Sequence, residues 1–215
     1  MARALVYEPD VLLLDEPLSN LDARLRVKMR SHIRNLIKRL KITTLCVTHD
    51  QEEALAISDH IAVIRNGRIL QSGPPKAIYE QPGDIDVANF LGEMNFFQAT
   101  ADGLDQEGRL RLRSSFGTIL MKPNDHGPEV KPASSVLITI RPHHVVVKSS
   151  AGAPTPNCFE GRVNTVEFLG SRRRCTIGLG EVSCIAERHD TNFHEGNSVV
   201  VEFPQEHLGL IPREA

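Results

Sequence analysis

The sequence predicts an α/β region with a parallel sheet, followed by an all-β barrel. Two apolar segments, residues 11–14 and 43–48, flank a helical pattern, and this order of strand, helix and strand is typical of a crossover unit in a parallel sheet. After Gly92 the helical periodicity stops, and short segments separated by turn residues indicate a small barrel or sandwich. We therefore expect two domains, residues 1–92 and 93–215.

Two adjacent carboxylates, Asp15 and Glu16, follow the aliphatic run Val11–Leu14. A continuous apolar run predicts a strand that is buried on both faces of a parallel sheet. Ligands of open α/β sheets bind at the carboxyl ends of the strands, so Asp15 could supply an oxygen ligand to Mg²⁺ and Glu16 could polarise an attacking water. A polar turn that merely ends the strand is the alternative interpretation.

Three motifs in this region carry a resemblance to a known family. Residues 12–16 resemble the Walker B strand of the nucleotide-binding subunit of ATP-binding cassette (ABC) transporters, and residues 19–22 resemble its D-loop. His49, which follows the second apolar segment, is similar to the family's switch histidine. The resemblance implies that residues 1–92 are part of a P-loop NTPase domain that uses ATP and Mg²⁺.

The resemblance also implies a role for each residue. Asp15 would hold Mg²⁺, Glu16 would act as a base or orient water, and His49 would contact the γ-phosphate. Nucleotide binding and communication across a dimer would involve Ser19, Asn20 and Asp22. The implied partners are a second copy of the chain, transmembrane permease subunits and, through them, a solute-binding protein. The implied location is cytoplasmic, peripheral on the inner face of the cell membrane.

Several motifs of the family are missing from this sequence. It contains no G-x-x-x-x-G-K-S/T phosphate loop, no Q-loop and no Leu-Ser-Gly-Gly-Gln signature. Residues 1–5 resemble the middle of the helix after that signature, so we expect the chain to be the carboxyl-terminal part of a longer subunit. An internal Met1 read as a start, a frameshift and a truncation would all give this same sequence. Alone, the chain should bind ATP weakly or not at all, be inactive, and self-associate through uncovered apolar surface.

The composition of the 215 residues is that of a globular protein, with 40% hydrophobic residues, 24% charged residues and a formal net charge of −2. No apolar run approaches the roughly 20 residues that span a bilayer, and no signal peptide opens the chain. The four cysteines have no C-x-x-C spacing, which favours reduced thiols. The near-neutral charge gives no support to a nucleic-acid partner.

Residues 22–92 contain further predicted elements. Asp22 should cap a helix that runs to about Leu40, with a buried apolar face (Met29, Ile33, Leu36, Ile37 and Leu40) and a solvated basic face (Arg24, Arg26, Lys28, Arg30, Arg34, Lys38 and Arg39). Residues 50–53 should form the first turn of a second helix, where the helix dipole stabilises acidic side chains. Residues 61–70 should form a hairpin turning at Asn66-Gly67, and two short helices should follow, the second ending at Gly92.

The short strand-like segments of residues 93–215 predict an all-β domain. Arg141-Pro142-His143-His144-Val145 and Glu167-Phe168-Leu169-Gly170 resemble short motifs of the appended oligonucleotide/oligosaccharide-fold (OB-like) domain of importer ATPases, called TOBE. The predicted strands cover residues 96–101, 109–113, 118–122, 136–141, 145–148, 160–168, 173–179, 182–188 and 198–203.

Three other features of this region favour structural roles over binding roles. Neighbouring histidines on a strand point to opposite faces, so His143 and His144 should not form a metal site. Residues 172–174 should form a solvated turn next to Ser171, although these three arginines could reach an anion. Residues 149–156 should form a surface loop between the two halves of the β domain.

Two functions of different classes follow. The first is the ATP-hydrolysing subunit of an ABC importer, present here as a fragment. Residues 93–97 resemble those of polyamine importers most, with ferric iron and organophosphonate systems close behind. The alternative is a non-enzymatic regulatory or dimerisation module built on the β domain.

Overall fold

The computed structural model of the chain describes residue 5 and residues 9–122, 130–149, 156–189 and 192–212. Residues 1–4 of the predicted first helix and residues 150–155 of the predicted surface loop lie outside them. The α-helices in the described ranges are α1 (Ala23–Leu40), α2 (Gln51–Ile57), α3 (Pro75–Glu80) and α4 (Ile85–Phe90). None of them has both the length and the apolar character required to span a bilayer.

The described strands make this a mostly β protein. They are β1 (Val11–Asp15), β2 (Thr43–Val47), β3 (Ile61–Arg65), β4 (Arg68–Gly73), β5 (Asn95–Leu104), β6 (Leu110–Ser114), β7 (Gly117–Met121), β8 (Ser135–Ile140), β9 (Val146–Lys148), β10 (Cys158–Phe168), β11 (Arg173–Leu179), β12 (Val182–Arg188), β13 (Ser198–Glu202) and β14 (Gly209–Pro212). Short 3-10 helices cover Pro142–His144 and Gln205–His207. The chain divides into a first unit, residues 1–79 with 90–92, and a second unit, residues 80–89 with 93–215.

In the first unit, β1 and β2 form a parallel pair connected by α1. Asp22 caps α1 as predicted, because its side chain accepts a hydrogen bond from the Leu25 N–H at 2.9 Å. The helix ends at Leu40, where Lys41 takes a left-handed conformation and donates its N–H to the Ile37 carbonyl. One cluster of buried residues in this unit contains Leu12, Leu14, Leu18, Ile33 and Ile57.

Burial of β1 on both faces, which the apolar run predicted, is wrong for this chain. Leu12 and Leu14 are buried, whereas Val11 is 53% exposed and Leu13 is 70% exposed. Leu45 on β2, which lies opposite Leu13, is also exposed. Successive side chains of a strand point to opposite faces, and α1 with its neighbours covers only one face of this two-stranded sheet. Leu40, which was predicted to be buried, is exposed as well.

We expect this uncovered sheet face to cause self-association of the chain. Contiguous exposed apolar residues favour association because contact removes them from water. Light scattering should give a mass above the 23.8 kDa of one chain, and Leu13→Lys should lower it. Leu104→Lys, which replaces a leucine of similar exposure in the second unit, is the matched control and should leave the measured mass unchanged. A wild-type chain that stays monomeric would contradict this expectation.

A hairpin of β3 and β4 follows α2 in the first unit. Its turn residues Asn66 and Gly67 have φ angles of 51° and 73°, so the predicted Asn-Gly turn is confirmed. α2 begins after its N-cap Asp50, whose side chain accepts from the Glu53 N–H, as predicted for residues 50–53.

The second unit contains two five-stranded antiparallel sheets with the strand orders β12-β11-β10-β13-β9 and β14-β8-β5-β6-β7. Buried residues from both sheets form one core cluster, in which Ile119, Ile138, Ile177 and Val201 are fully buried. The predicted all-β character is therefore confirmed. β14 was not predicted, because its Gly209–Pro212 segment is short and carries a proline.

The placement of His143 and His144 on a strand is wrong. Both residues belong to the 3-10 helix Pro142–His144, and their ring centroids are 4.2 Å apart. Proline at position 142 fixes φ and suits the first turn of a helix, which explains why this helix begins there. His144 stacks on His207 at 3.6 Å, and burial lowers the pKa of His144 to about 4. The rings of His143, His144 and His207 thus form packed aromatic contacts.

The Arg141 side chain is buried beside this 3-10 helix. It is 3% exposed, and Nη1 donates to the carbonyl of Glu93 at 3.2 Å. Arg174, which was predicted to lie in a solvated turn, instead pairs with Glu93 and Glu187. All four cysteines of the chain are free thiols.

Candidate functional site

The candidate site lies where the parallel strands β1 and β2 end. The two strands pair in register, so that Asp15 lies opposite Val47. One residue further, the Glu16 N–H donates to the Val47 carbonyl at 2.8 Å. His49 follows β2 by two residues. The structure therefore places the two acidic residues and the histidine at the same end of the sheet.

Glu16 and His49 are in direct contact. His49 Nδ1 donates to Glu16 Oε1 at 2.6 Å, and both side chains remain accessible to solvent. The hydrogen bond to Glu16, together with the charge of this carboxylate, raises the pKa of His49. The protonated imidazole consequently persists to higher pH than it does in an isolated histidine. A cationic donor next to a carboxylate can bind an anionic oxygen on one side and orient water on the other.

The backbone of Glu16 is held in an unusual conformation. Its φ is 44°, in the left-handed region that residues other than glycine rarely occupy. This backbone conformation costs on the order of 1 kcal/mol. The Glu16 carbonyl accepts hydrogen bonds from the Ser19 N–H at 3.2 Å and from the Ser19 hydroxyl at 3.0 Å. These contacts fix the turn that directs the Glu16 side chain towards His49. No pattern in the sequence indicates this conformation.

The remaining predicted residues lie in or beside the loop of residues 18–22. Leu18 anchors this loop in the core, while Ser19 and Asn20 are exposed. The Asp22 carboxylate caps α1, and the Ser19 hydroxyl supports Glu16. The structure thus shows local structural contacts for both residues, and their roles towards nucleotide stay predictions.

The Asp15 carboxylate fits a Mg²⁺ ion that is shared with a phosphate ligand. Mg²⁺ in nucleotide sites takes one or two protein carboxylates and obtains its other oxygen ligands from phosphates and water. Asp15 is exposed at the end of β1 and supplies one such oxygen donor. Over the described ranges of the chain, no group of three or more His, Cys, Asp or Glu side chains could hold a metal ion by itself.

The sequence predicted that the basic face of α1 is solvated, but several of its arginines form ion pairs and hydrogen bonds. Arg30 donates to Asp50 at 3.0 Å and to Glu52 at 2.6 Å. Arg34 donates to the Ile57 carbonyl at 2.6 Å and pairs with Asp59 at 3.0 Å. The reason is tertiary: α1 packs against the segment of α2, whose acidic residues face these arginines.

The segment around His49 also contains a buried glutamate, Glu53. The sequence had predicted only that this residue lies in the first turn of a helix. Glu53 is 2% exposed, and burial raises its pKa. It accepts a hydrogen bond from the Thr48 hydroxyl at 3.1 Å. Burial alone would raise the pKa of Asp50, but the hydrogen bond from the Glu53 N–H and the Arg30 charge lower it overall.

The chain is similar to known proteins over both units. Residues 138–211 match the TOBE domain family. The chain is 42% identical over 179 residues to the spermidine/putrescine import ATP-binding protein PotA of Trichormus variabilis. It is 38% identical over 213 residues to the Fe(3+) ions import ATP-binding protein FbpC of Agrobacterium fabrum. It is 40% identical over 216 aligned residues to the uncharacterized ABC transporter ATP-binding protein y4oS of Sinorhizobium fredii.

These three alignments cover 83%, 98% and 100% of this chain, in the same order. They cover 47%, 58% and 53% of the relatives. The chain therefore spans about half the length of the curated relatives that it matches.

Proposed function

Since this chain is homologous to the ATP-binding subunits of ABC importers over about half of their length and contains a TOBE domain, we propose that it is part of a subunit that hydrolyses ATP to drive solute import. The observation that carries this proposal is the 2.6 Å contact between Glu16 and His49 at the end of a parallel strand pair. In this proposal residues 1–92 are part of a P-loop NTPase domain and residues 93–215 form the second domain, a division that differs from that of the two compact units at residues 80–89.

Each residue at the strand ends has a chemical task in this proposal. Phosphoryl transfer to water depends mostly on placement and on stabilisation of charge. Glu16 orients the attacking water and accepts its proton, and protonated His49 donates a hydrogen bond to the γ-phosphate. Asp15 would hold Mg²⁺, which when bound would supply positive charge to the phosphates. The left-handed turn at Glu16 presents the carboxylate to water and to His49 together.

The same proposal assigns partners and a location. Ser19, Asn20 and Asp22 face a second copy of the subunit, and closure of the dimer is transmitted to transmembrane permease subunits that receive solute from a binding protein. The subunit is cytoplasmic and peripheral to the membrane. The names of the relatives do not favour a purely regulatory module.

A polyamine is our first proposal for the solute, because the PotA relative is 42% identical. The FbpC relative, which is aligned over 98% of this chain, makes ferric iron the second proposal. Solute choice belongs to the binding protein and permease, so uptake by the assembled transporter distinguishes the two.

The proposal is tested with His49→Ala in the full-length subunit. Loss of one donor to the developing charge should lower the rate of ATP hydrolysis on the order of a hundredfold or more, with ATP affinity retained. His60→Ala removes an exposed histidine of the same unit and should leave the rate unchanged. Phosphate release measures the rate, and calorimetric titration with Mg-ATP measures the affinity. Wild-type hydrolysis by the His49 variant would refute the role assigned to this residue.

A further inference from the structure

One guanidinium joins the two segments that carry the candidate site. Arg26 Nη2 donates to the Leu21 carbonyl at 3.0 Å, inside the loop of residues 18–22. Arg26 Nη1 pairs with Asp50 Oδ2 at 3.3 Å, and Asp50 directly follows His49. Leu21 and Asp50 are 29 positions apart in the chain, yet the two arms of a single planar group contact both of them.

The loop end of this bridge is connected to Glu16. The Leu21 N–H donates to the Leu18 carbonyl at 3.2 Å, and both hydrogen bonds from Ser19 go to the Glu16 carbonyl. A shift of the loop therefore acts on the strained turn that positions the Glu16 carboxylate.

The other end of the bridge is connected to the backbone on both sides of His49. The Asp50 N–H donates to the Thr48 hydroxyl at 3.0 Å, and this hydroxyl donates to the buried Glu53. Asp50 Oδ1 accepts from the Glu53 N–H at 3.0 Å, and Arg30 also holds the Asp50 carboxylate. The His49 ring is 74% exposed, so its position is set by these flanking residues and by Glu16 and not by burial of the ring.

We propose that Arg26 is a positioning residue that couples the 18–22 loop to His49, so that the geometry of the Glu16–His49 pair depends on the position of the loop. This inference rests on the proposed function, in which the loop faces a second subunit and the pair acts on ATP. It gives the loop a physical route to the catalytic pair. The coupling requires the fork of an arginine, because the single ammonium of a lysine cannot keep the two-armed geometry.

Arg34 provides a matched control on the same helix. Its side chain is 31% exposed against 33% for Arg26, and its fork likewise joins a backbone carbonyl, that of Ile57, to a carboxylate, that of Asp59. It lies two turns further along α1, and its hydrogen bonds go to Ile57, Ser58 and Asp59, which belong neither to the 18–22 loop nor to the residues next to His49.

The first test compares Arg26→Met and Arg34→Met in the full-length subunit. Arg26→Met should lower kcat for ATP hydrolysis on the order of tenfold while KM changes less than about twofold, because Arg26 itself does not touch ATP. Arg34→Met should leave kcat unchanged. Equal loss in both variants would show that Arg26 acts only through general stability, and would overturn the proposal.

The second test also uses the full-length subunit, in the absence of ATP. The hydrogen bond from His49 to Glu16 raises the pKa of His49, whereas the charge of Arg26 lowers it. Arg26→Lys keeps the charge and removes the fork, so weaker positioning should lower the His49 pKa towards its usual value. A titration followed by NMR measures this pKa, with Arg34→Lys as the control.

The two tests separate two kinds of failure. An unchanged His49 pKa in Arg26→Lys overturns the positioning role, whatever the enzyme activity. A wild-type full-length subunit that hydrolyses no ATP overturns the proposed function, while a lowered His49 pKa in Arg26→Lys would still establish the coupling between the loop and the histidine.

Discussion

Glu16→Gln should abolish ATP hydrolysis by the full-length subunit and leave ATP binding intact. Glutamine has the size and shape of glutamate, and its side-chain oxygen can still accept the hydrogen bond from His49 Nδ1, which is 2.6 Å long in the wild type. The substitution removes the negative charge and the capacity to take a proton from water. A lost general base costs about 10² to 10⁴ in rate, which in a slow ATPase is a loss of measurable turnover.

Both the rate of ATP hydrolysis and the affinity for ATP must be measured for this variant. Phosphate release gives the rate, and calorimetric titration with Mg-ATP gives the affinity, which should change little because Glu16 binds no ground-state phosphate in this proposal. Asp59→Asn is the matched control, since Asp59 is also an exposed carboxylate that pairs with a cation, here Arg34 at 3.0 Å. Normal hydrolysis by the glutamine variant would eliminate Glu16 as the catalytic base.

Much of the first unit could be predicted because its signals are local. The Asp22 cap and the Asn66-Gly67 turn depend on residues that are adjacent in sequence, and the structure confirms both. The location of His49 at the same end of the sheet as Glu16 also followed from sequence, because the carboxyl ends of parallel strands lie together. The direct contact between the two side chains did not.

Contacts between distant segments could not be predicted in the same way. The basic pattern of α1 does not show that Arg26 and Arg30 contact Asp50, because helical spacing identifies a face and not the residues opposite it. The left-handed conformation of Glu16 is likewise imposed by hydrogen bonds to Val47 and Ser19. The coupling proposed for Arg26 therefore became visible only in three dimensions.

The apolar run of β1 shows a different limit of sequence reasoning. Its pattern identifies residues whose side chains are suited to burial on two faces, but the amount of burial depends on what covers them. Leu12 is 4% exposed and Leu13 is 70% exposed, although the two are neighbours with the same side chain. The pattern therefore reports the chemical preference of the strand, and the surrounding structure determines its exposure.

In the second unit, four phenylalanines link the two sheets. Phe97 on β5 and Phe116 after β6 come from one sheet, and Phe159 on β10 and Phe203 after β13 come from the other. The Phe203 ring lies 5.3 Å from that of Phe97, 5.7 Å from that of Phe159 and 6.1 Å from that of Phe116, between centroids. Phe203 is fully buried, so its whole ring is removed from water.

Phe203→Ala should consequently lower the free energy of unfolding of the second unit by about 3–5 kcal/mol, because the truncation removes buried apolar surface and leaves a cavity between the sheets. Urea unfolding followed by circular dichroism measures the loss. Phe168→Ala, at a residue that is 74% exposed, is the control and should stay within about 0.5 kcal/mol of wild type. If the alanine variant does not fold, Phe203→Leu should give a smaller loss of about 1 kcal/mol. Wild-type stability in the alanine and leucine variants would mean that the sheets are not held together by this cluster.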